Sequence, residues 1–378
     1  MLVVAPKETV PGESRVALVP DAARALKKAG LELAVQAGAG YGAGVDDATY
    51  EREQIGVVAD AAALFGKADV VLKVQPPSDA EIATLRRGSV LLSFLRPLDE
   101  PQIAAQLAQA GVTSFALELV PRITRAQAMD ALSSQASLAG YRAVLLAGAT
   151  AAKILPMMTT AAGTIAAARV LVIGAGVAGL QAIATARRLG AVVEAYDTRP
   201  AVKEQIESLG GRFVELALDT KDAEGAGGYA KAQSEEFLAK QRELLGARVK
   251  LADAVISTAA VPGARAPLLI DAETVAGMKP GSVIVDLAAA TGGNCALTKV
   301  DETVVAHGVT ILGPSNLPSG AAVDASRVYA RNLATLLLHL VKDGAITLDL
   351  EDEITKGALV TQDGQVVHPA VRAKLGLG

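Results

Sequence analysis

The sequence predicts an α/β protein with two Rossmann-like, doubly wound domains, a cleft between them and two long helices that bridge them. Short apolar strand patterns alternate with helical patterns, which is typical of parallel sheets with helical crossovers. A Gly-x-Gly-x-x-Gly turn follows one strand directly, at 174–179. The length of 378 residues suits about two domains.

The N-terminal part alternates short strands with amphipathic helices. Strand patterns lie at Leu2–Ala5, 33–36, 70–74, 90–94 and 114–116. Helical patterns lie at 20–29, 60–65, 79–85 and 101–110. Because parallel strands need long crossovers, this order predicts a parallel sheet with helices on its faces. A long helix at 126–146 is predicted to follow.

The second half repeats the alternation and then returns to helix. Strand patterns lie at 170–173, Val192–Tyr196, 254–258, 282–286 and Val309–Leu312, which predicts a nucleotide-binding domain over 140–320. A helix is predicted at 322–342, and the tail at 346–368 has a hairpin pattern around Asp363-Gly364. We expect the tail to complete a first domain made of 1–130 and 325–378. The long helices would then bridge the lobes across a ligand cleft.

The glycine turn is the most informative motif of the chain. Gly174 would permit a sharp turn after the strand, Gly176 would admit a pyrophosphate to the backbone, and Gly179 would let the next helix pack closely. That helix, starting near Val177, would direct free N–H groups at the phosphates. Asp197 ends the following strand and would accept the adenosine ribose hydroxyls, which favours NAD(H) over NADP(H). A tight turn that binds nothing is the structural alternative.

Composition and charge exclude several classes of function. The net charge of −4 gives no reason to expect nucleic-acid binding. Cys295 is the single cysteine, so an internal disulfide is excluded and a reducing compartment is expected. The hydrophobic fraction is 51%, yet no stretch offers the roughly 20 apolar residues of a spanning helix. The first eight residues already carry a base and an acid, which does not suit a secretory signal.

One segment, 217–243, interrupts the α/β rhythm with glycines among many charges. A long insertion of this kind in a compact domain is typical of a functional loop. Tyr229, which follows Gly227 and Gly228, is its candidate ligand-contacting residue. A plain surface loop that ends in a charged helix is the alternative.

Four blocks together resemble the alanine dehydrogenase and nicotinamide nucleotide transhydrogenase family. They are PKE at 6–8 with ESRVAL at 13–18, KVQPP at 73–77, the glycine turn, and MKPGSVIVD at 278–286. The resemblance covers essentially the whole chain. Two further strings resemble the transhydrogenase branch in particular, namely PRITRAQAMDALSSQ at 121–135 and AGGYAK at 226–231, and GGNC at 292–295 also fits.

The alanine dehydrogenase branch implies an acid–base pair that this sequence lacks. Reduction of an imine needs a proton donor beside the hydride acceptor and a cation for the substrate carboxylate. Arg15 and Lys73 stand at the family's cationic positions. The family's His aligns with Arg96 and its Asp with Ala290. The histidines of this chain lie in unrelated contexts, at His307, His339 and His368.

The transhydrogenase branch implies direct hydride transfer from one nicotinamide to another, which needs no acid or base. Gln127 would hold the NAD(H) carboxamide, Arg122 would supply charge near the ring, and Asp130 and Ser133 would orient them. The predicted catalytic residues are therefore Gln127, Arg122, Asp130 and Ser133. The predicted cofactor-binding residues are Gly174, Gly176, Val177, Gly179, Asp197, Thr198, Gly228, Tyr229 and Ala260. No metal site is predicted.

The same resemblance implies partners. NADP(H) would be bound by a partner subunit, a separate membrane subunit would carry the proton channel, and this chain would form a homodimer. We expect it to be cytoplasmic and held at the inner face of the cell membrane through those subunits. An alanine dehydrogenase-like enzyme that uses Arg15 and Lys73, and a non-catalytic NAD(H) sensor, stay open. Thr124 with Gln127 also fits a helix capping box.

Overall fold

The computed structural model describes residues 1–218, 234–261 and 263–377. The chain divides into two compact units, one formed by Met1–Gln135 with Pro318–Gly378 and the other by Ala136–Leu317. The predicted fold class is confirmed, since each unit is built around a mainly parallel sheet. In the part of the chain that the structure describes, no helix combines the length and the apolar character needed to span a membrane.

The strands are numbered in chain order. They are β1 Leu2–Ala5, β2 Glu32–Gln36, β3 Gly56–Val58, β4 Val70–Leu72, β5 Val90–Ser93, β6 Thr113–Ala116, β7 Met158–Thr160, β8 Gly163–Ile165, β9 Arg169–Ile173, β10 Val192–Tyr196, β11 Arg212–Phe213, β12 Ala254–Ser257, β13 Val283–Asp286, β14 Thr303–Ala306, β15 Val309–Leu312, β16 Val341–Lys342, β17 Ala345–Ile346, β18 Leu359–Gln362 and β19 Gln365–Val366.

The α-helices are also numbered in chain order. They are α1 Pro20–Lys28, α2 Asp47–Arg52, α3 Ala61–Lys67, α4 Asp79–Thr84, α5 Gln102–Ala110, α6 Ala131–Thr150, α7 Val177–Arg188, α8 Lys203–Ser208, α9 Glu235–Val249, α10 Ala272–Ala276, α11 Ala322–Leu340, α12 Glu353–Ala358 and α13 Pro369–Lys374.

The sheet of the first unit has the strand order β19-β18-β6-β5-β4-β1-β2-β3. The strands β1 to β6 are parallel, whereas β18 of the tail pairs antiparallel with β6 and β19 pairs antiparallel with β18. Val3 and Val4 point to opposite faces of the sheet, and each lies in a buried apolar cluster. Helices therefore cover both faces, as a parallel sheet requires.

The sheet of the second unit has the order β11-β10-β9-β12-β13-β15-β14. All of its strands are parallel except β14, which forms an antiparallel hairpin with β15 at the edge. Along β9, Val170 and Val172 pack into one core and Leu171 and Ile173 into the other. This continuous apolar run is what a strand buried on both faces needs.

Both sheets reverse their strand order at one point. The order of the parallel strands reads third, second, first, fourth, fifth and sixth in each unit, so the reversal falls between β1 and β4 and between β9 and β12. Ligands of open α/β sheets bind outside the carboxyl ends of the strands at this switch point. The two switch points therefore define where candidate sites belong.

The predicted helix at 126–146 needs correction. Residues Thr124–Met129 form a 3-10 helix, and the α-helix α6 begins only at Ala131. Asp130 terminates the first element and caps the second, because its Oδ1 accepts from the backbone N–H of Ser133 at 2.8 Å. The first element has Ile123 as its N-cap and no side-chain cap, so the capping box predicted from Thr124 and Gln127 is wrong.

Several short elements were missed in the sequence, among them α2, β3, the β7–β8 hairpin and β14. Each of these four has six residues or fewer in a segment, and β14 lies at a sheet edge, where apolar patterning is weak. The insertion predicted at 217–243 falls mostly outside the described residues, and α9 follows it with Ser234 as its N-cap.

Candidate nucleotide-binding site

The glycine turn joins β9 to α7 at the switch point of the second unit. Gly174 has a φ of +93°, a conformation that side chains disfavour. A Cβ on Gly179 would lie 1.8 Å from the carbonyl oxygen of Gly174, so only glycine permits this approach of helix to strand. A Cβ on Gly176 would meet nothing within 4 Å. The turn is thus closed on its inner side and open beside Gly176.

The open side fits a dinucleotide pyrophosphate. Gly176 is the N-cap of α7, and its carbonyl accepts from the N–H of Leu180 at 2.8 Å. The N–H groups of the first helical turn, beginning with Val177, lack acceptors within the helix. They present the positive end of the helix dipole toward that open side, which is the arrangement that binds phosphate.

The chain after β12 supports the turn, through two residues that sequence reasoning left out. Thr258 donates from Oγ1 to the carbonyl of Gly174 at 3.0 Å. Asn294 is fully buried, and its side chain accepts from Ala259 N at 3.1 Å and donates to Ala259 O at 2.8 Å. These contacts hold residues 258–259 beside the glycine turn, with Ala260 exposed next to them. The string at 292–295 signalled Asn294 without revealing its contact.

Asp197 follows β10 directly, on the other side of β9. Its side chain is buried, and its Oδ2 accepts from the N–H of Ala175, inside the glycine turn, at 2.7 Å. Arg199 contacts the same carboxylate through its backbone N–H and its guanidinium. Thr198 is partly exposed between them. The sequence predicted the acid but not the arginine that pairs with it.

The predicted catalytic segment lies in the first unit. Ala126 and Met129 anchor the 3-10 helix in the core, and Asn332 of α11 donates to the carbonyl of Ala128 at 2.8 Å. Between these anchors the side chain of Gln127 is exposed and makes no hydrogen bond to any described residue. A fixed backbone therefore presents an amide that is available to a ligand.

The other three predicted catalytic residues have different surroundings. Asp130 accepts from the hydroxyl of Ser133 at 2.6 Å in addition to the capping bond. The structure thus brings this pair together at the start of α6. Arg122 is exposed, four residues before the core anchor at Ala126. Gly228 and Tyr229, predicted to contact the cofactor, lie outside the described residues.

A buried charged cluster occupies the switch point of the first unit. Lys73 is 1% exposed and contacts Glu8 at 3.3 Å and Glu81 at 2.9 Å. Arg15 is 4% exposed and contacts Glu13 at 2.6 Å, while its Nη1 donates to Gln135 at 2.9 Å. Both cations are therefore compensated by carboxylates of the protein itself.

Burial acts differently on the acids of this cluster. It raises the pKa of Glu8, and the ammonium of Lys73 opposes that shift only in part. Burial would also raise the pKa of Glu13, but the hydrogen bonds and charge of Arg15 lower it to about 2. The Glu13–Arg15 pair is thus ionised throughout the physiological range of pH.

The positions of the family's acid and base hold other groups. Arg96 follows β5 with a φ of +51°, and its Nη2 donates to Gln75 at 2.8 Å. Its backbone N–H and that of Leu95 donate to Glu118, whose pKa burial raises to about 7. Ala290 is exposed after β13 and has no titratable atom.

The three histidines lie apart from both switch points. His307 occupies the turn of the β14–β15 hairpin, and His339 pairs with Asp352 at 3.0 Å. His368 is the N-cap of α13, and burial lowers its pKa. No group of three His, Cys, Asp or Glu side chains with metal-binding geometry occurs among residues 1–218, 234–261 and 263–377.

Comparison with known proteins agrees with this geometry. The chain matches the model for the N-terminal domain of alanine dehydrogenase/PNT over residues 4–139 and the model for the C-terminal domain over residues 143–369. The chain belongs to the alanine dehydrogenase/PNT family. The second model extends past the nucleotide-binding unit because it includes α11 and part of the tail, which fold with the first unit.

Within the family, the transhydrogenase relatives are the more similar. The first portion of the NAD(P) transhydrogenase alpha subunit of Rhodospirillum rubrum, a chain of its own, is 48% identical over 98% of this chain and 99% of that one. A crystal structure of transhydrogenase from Sinorhizobium meliloti has a TM-score of 0.86 and 43% identity, over 98% of this chain and 100% of that one. The alanine dehydrogenase of Halomonas elongata is 30% identical over 100% of this chain and 97% of its own length.

Proposed function

We propose that this chain is the NAD(H)-binding alpha component of a proton-translocating NAD(P) transhydrogenase. It would take part in direct hydride transfer between its own NADH and NADP⁺ held on a partner subunit. One observation carries the proposal: a complete dinucleotide-binding turn accompanies Arg96 and Ala290 where an alanine dehydrogenase has its acid and base. The similarity to transhydrogenase alpha subunits supports it.

The chemistry of this reaction suits a site without acid–base residues. Hydride passes from C4 of one nicotinamide to C4 of the other, and no oxygen or nitrogen changes its protonation. The site has to hold two rings at near-contact distance, fix their rotation and exclude water. Each of these tasks needs positioned donors and acceptors rather than a group with a shifted pKa.

Gln127 is the residue best suited to position the nicotinamide. Its exposed amide can donate to and accept from the carboxamide of NAD(H), and the backbone beneath it is fixed by Ala126, Met129 and Asn332. Arg122 supplies a planar cationic fork near the ring or the partner nucleotide. Asp130 and Ser133 are positioning residues, because they set where the 3-10 helix ends and α6 begins.

The charges of the first unit argue against an alanine dehydrogenase activity. A substrate carboxylate would need a cation, yet Arg15 and Lys73 are both buried against carboxylates of this chain. Binding a further anion there would require breaking buried ion pairs, which costs several kcal/mol. We propose that both residues stabilise the first unit and leave hydride transfer to the 122–133 segment.

The proposal extends to partners and location. Asp197 disfavours a 2′-phosphate in this chain, so NADP(H) would sit on another subunit, and a membrane subunit would carry the protons. Through these partners the chain would be held at the cytoplasmic face of the cell membrane. Tyr229 with Gly228 would close over the bound cofactor, as their family resemblance implies.

We further propose that the chain forms a homodimer and that the β7–β8 hairpin contributes to it. Met158 and Ile165 face each other across this hairpin and are 45% and 43% exposed, and Met157 is 66% exposed. A cluster of exposed large apolar side chains is typical of an interface. The next pair along the hairpin, Thr159 with Thr164, is polar and offers a control on the same element.

Met158→Asp is expected to weaken the dimer at least about tenfold, since a carboxylate would be buried unpaired at an apolar contact. Sedimentation velocity across a concentration series measures this. Thr159→Asp, one residue along the strand and on its other face, should leave the dimer intact. Equal dimer stability in both variants would exclude the hairpin from the interface.

The function is tested by pairing assays on purified protein. The proposal expects hydride exchange between NADH and NADP⁺ only after an NADP(H)-binding transhydrogenase component is added. NADH consumption with pyruvate and ammonia alone would overturn it in favour of alanine dehydrogenase. NADH binding without exchange under any pairing would instead favour a sensor.

A further inference from the structure

The carboxylate of Asp197 is already saturated with hydrogen bonds. Its Oδ2 accepts from the N–H of Ala175 at 2.7 Å and from Nη2 of Arg199 at 2.7 Å. Its Oδ1 accepts from the backbone N–H of Arg199 at 2.8 Å and from Nε of Arg199 at 2.9 Å. Four donors thus occupy the oxygens that the adenosine ribose would use.

Three of these four donors belong to one residue. The guanidinium of Arg199 is 12% exposed and the carboxylate 5%, so the pair is shielded from solvent. Parallel N–H donors to two carboxylate oxygens form the strong bidentate arrangement of arginine with an acid. The chain between them is only one residue long, which fixes the guanidinium at the ribose position predicted for Asp197.

This arrangement changes the electrostatics of cofactor selection. A lone acid at this position repels a 2′-phosphate, whereas an acid paired with a guanidinium has its charge largely compensated. In Rossmann domains, an arginine near the end of this strand is the group that accommodates a 2′-phosphate. Here such an arginine is present, and its fork is engaged by the acid.

We propose that Arg199 is a second determinant of cofactor selection, held out of action by Asp197. While the carboxylate is present, it binds the guanidinium and the site takes NAD(H). Without that charge, the guanidinium is released to bind the 2′-phosphate, and the same site takes NADP(H). This inference rests on the proposed binding of NAD(H) at the glycine turn.

The test is a double-mutant cycle read by fluorescence titration with NADH and NADPH. Asp197→Asn keeps the side-chain shape and an acceptor for Ala175, but removes the charge that holds Arg199. We expect it to tighten NADPH binding about 10-fold to 100-fold, the range of a charge-assisted hydrogen bond to phosphate. The gain should shrink as salt is raised.

The second arm isolates the arginine. Arg199→Ala added to Asp197→Asn should abolish the gain in NADPH affinity, whereas Arg212→Ala added to Asp197→Asn should retain it. Arg212 lies on the adjacent strand β11 with its side chain 74% exposed, so it controls for the loss of one positive charge. Arg199→Ala alone should leave NADPH binding weak, because the acid is then uncompensated.

The outcomes separate this inference from the proposed function. NADPH binding as tight in Asp197→Asn/Arg199→Ala as in Asp197→Asn would overturn the role of Arg199. No gain in a folded Asp197→Asn or Asp197→Ser variant, checked by circular dichroism, would also overturn it. Wild-type protein that fails to bind NADH would instead contradict the proposed function.

Discussion

Replacing Gln127 with Asn is expected to slow hydride exchange about 100-fold while leaving the Kd for NADH within about twofold. The shorter side chain withdraws the amide by about one bond length, and a displacement near 1 Å costs on the order of 100-fold in a reaction that depends on positioning. Pyrophosphate and ribose contacts, which supply most of the binding in this account, stay unchanged. Single-turnover exchange and NADH titration measure the two effects separately.

A neighbouring variant controls for the local fold. Thr124→Ala lies on the same 3-10 helix and removes a side chain that makes no cap there, so it should leave exchange and stability unchanged. If Gln127→Asn lost binding and rate equally, or lowered Tm by several degrees, Gln127 would be a structural residue of the turn rather than a ligand of the cofactor.

Replacing Glu13 with Gln is expected to lower the free energy of unfolding by about 3–5 kcal/mol, because it leaves the buried guanidinium of Arg15 without its counter-charge. Glu13 accepts from Nη2 of Arg15 at 2.6 Å, from Nε at 2.8 Å and from Gln75 at 2.7 Å. Urea unfolding measures the loss. Glu53→Gln removes an exposed partner of Arg24 and should cost less than about 1 kcal/mol.

The Glu13 effect should also depend on pH. Arg15 holds the pKa of Glu13 at about 2, below its ordinary value of 4.5, even though burial alone would raise it. The contribution of the pair is therefore complete above about pH 4.5 and is lost as the pH falls toward 2. Wild type and Glu13→Gln should converge in stability over that window. A difference that stays constant from about pH 5 to about pH 2 would contradict the ion-pair account.

The sequence predicts the parallel framework well because its signals are strong. The apolar run of β9, the glycine turn and the return of the tail each have a pattern that one strand or turn alone explains. Edge elements are different. The strand β14 and the β7–β8 hairpin bury little, so hydrophobic periodicity does not reveal them.

The start of α6 shows why the candidate site was harder to predict than the fold. The residues 124–129 have helical periodicity, and only the bonds between Asp130 and Ser133 show that the α-helix begins later. Likewise Arg199 stands two positions after Asp197 in the sequence, but its pairing is a matter of side-chain conformation. Local patterns specify elements, whereas a site depends on contacts between them.

The central claim is that hydride passes directly between two nicotinamides without acid–base assistance. The most direct measurement follows deuterium from NADH labelled at C4, on the transferred side, in ordinary water, with the NADP(H)-binding transhydrogenase component present. The account predicts that the label is recovered at C4 of NADPH without loss to solvent. Recovery of the label in water, or in alanine formed from pyruvate and ammonia, would contradict it.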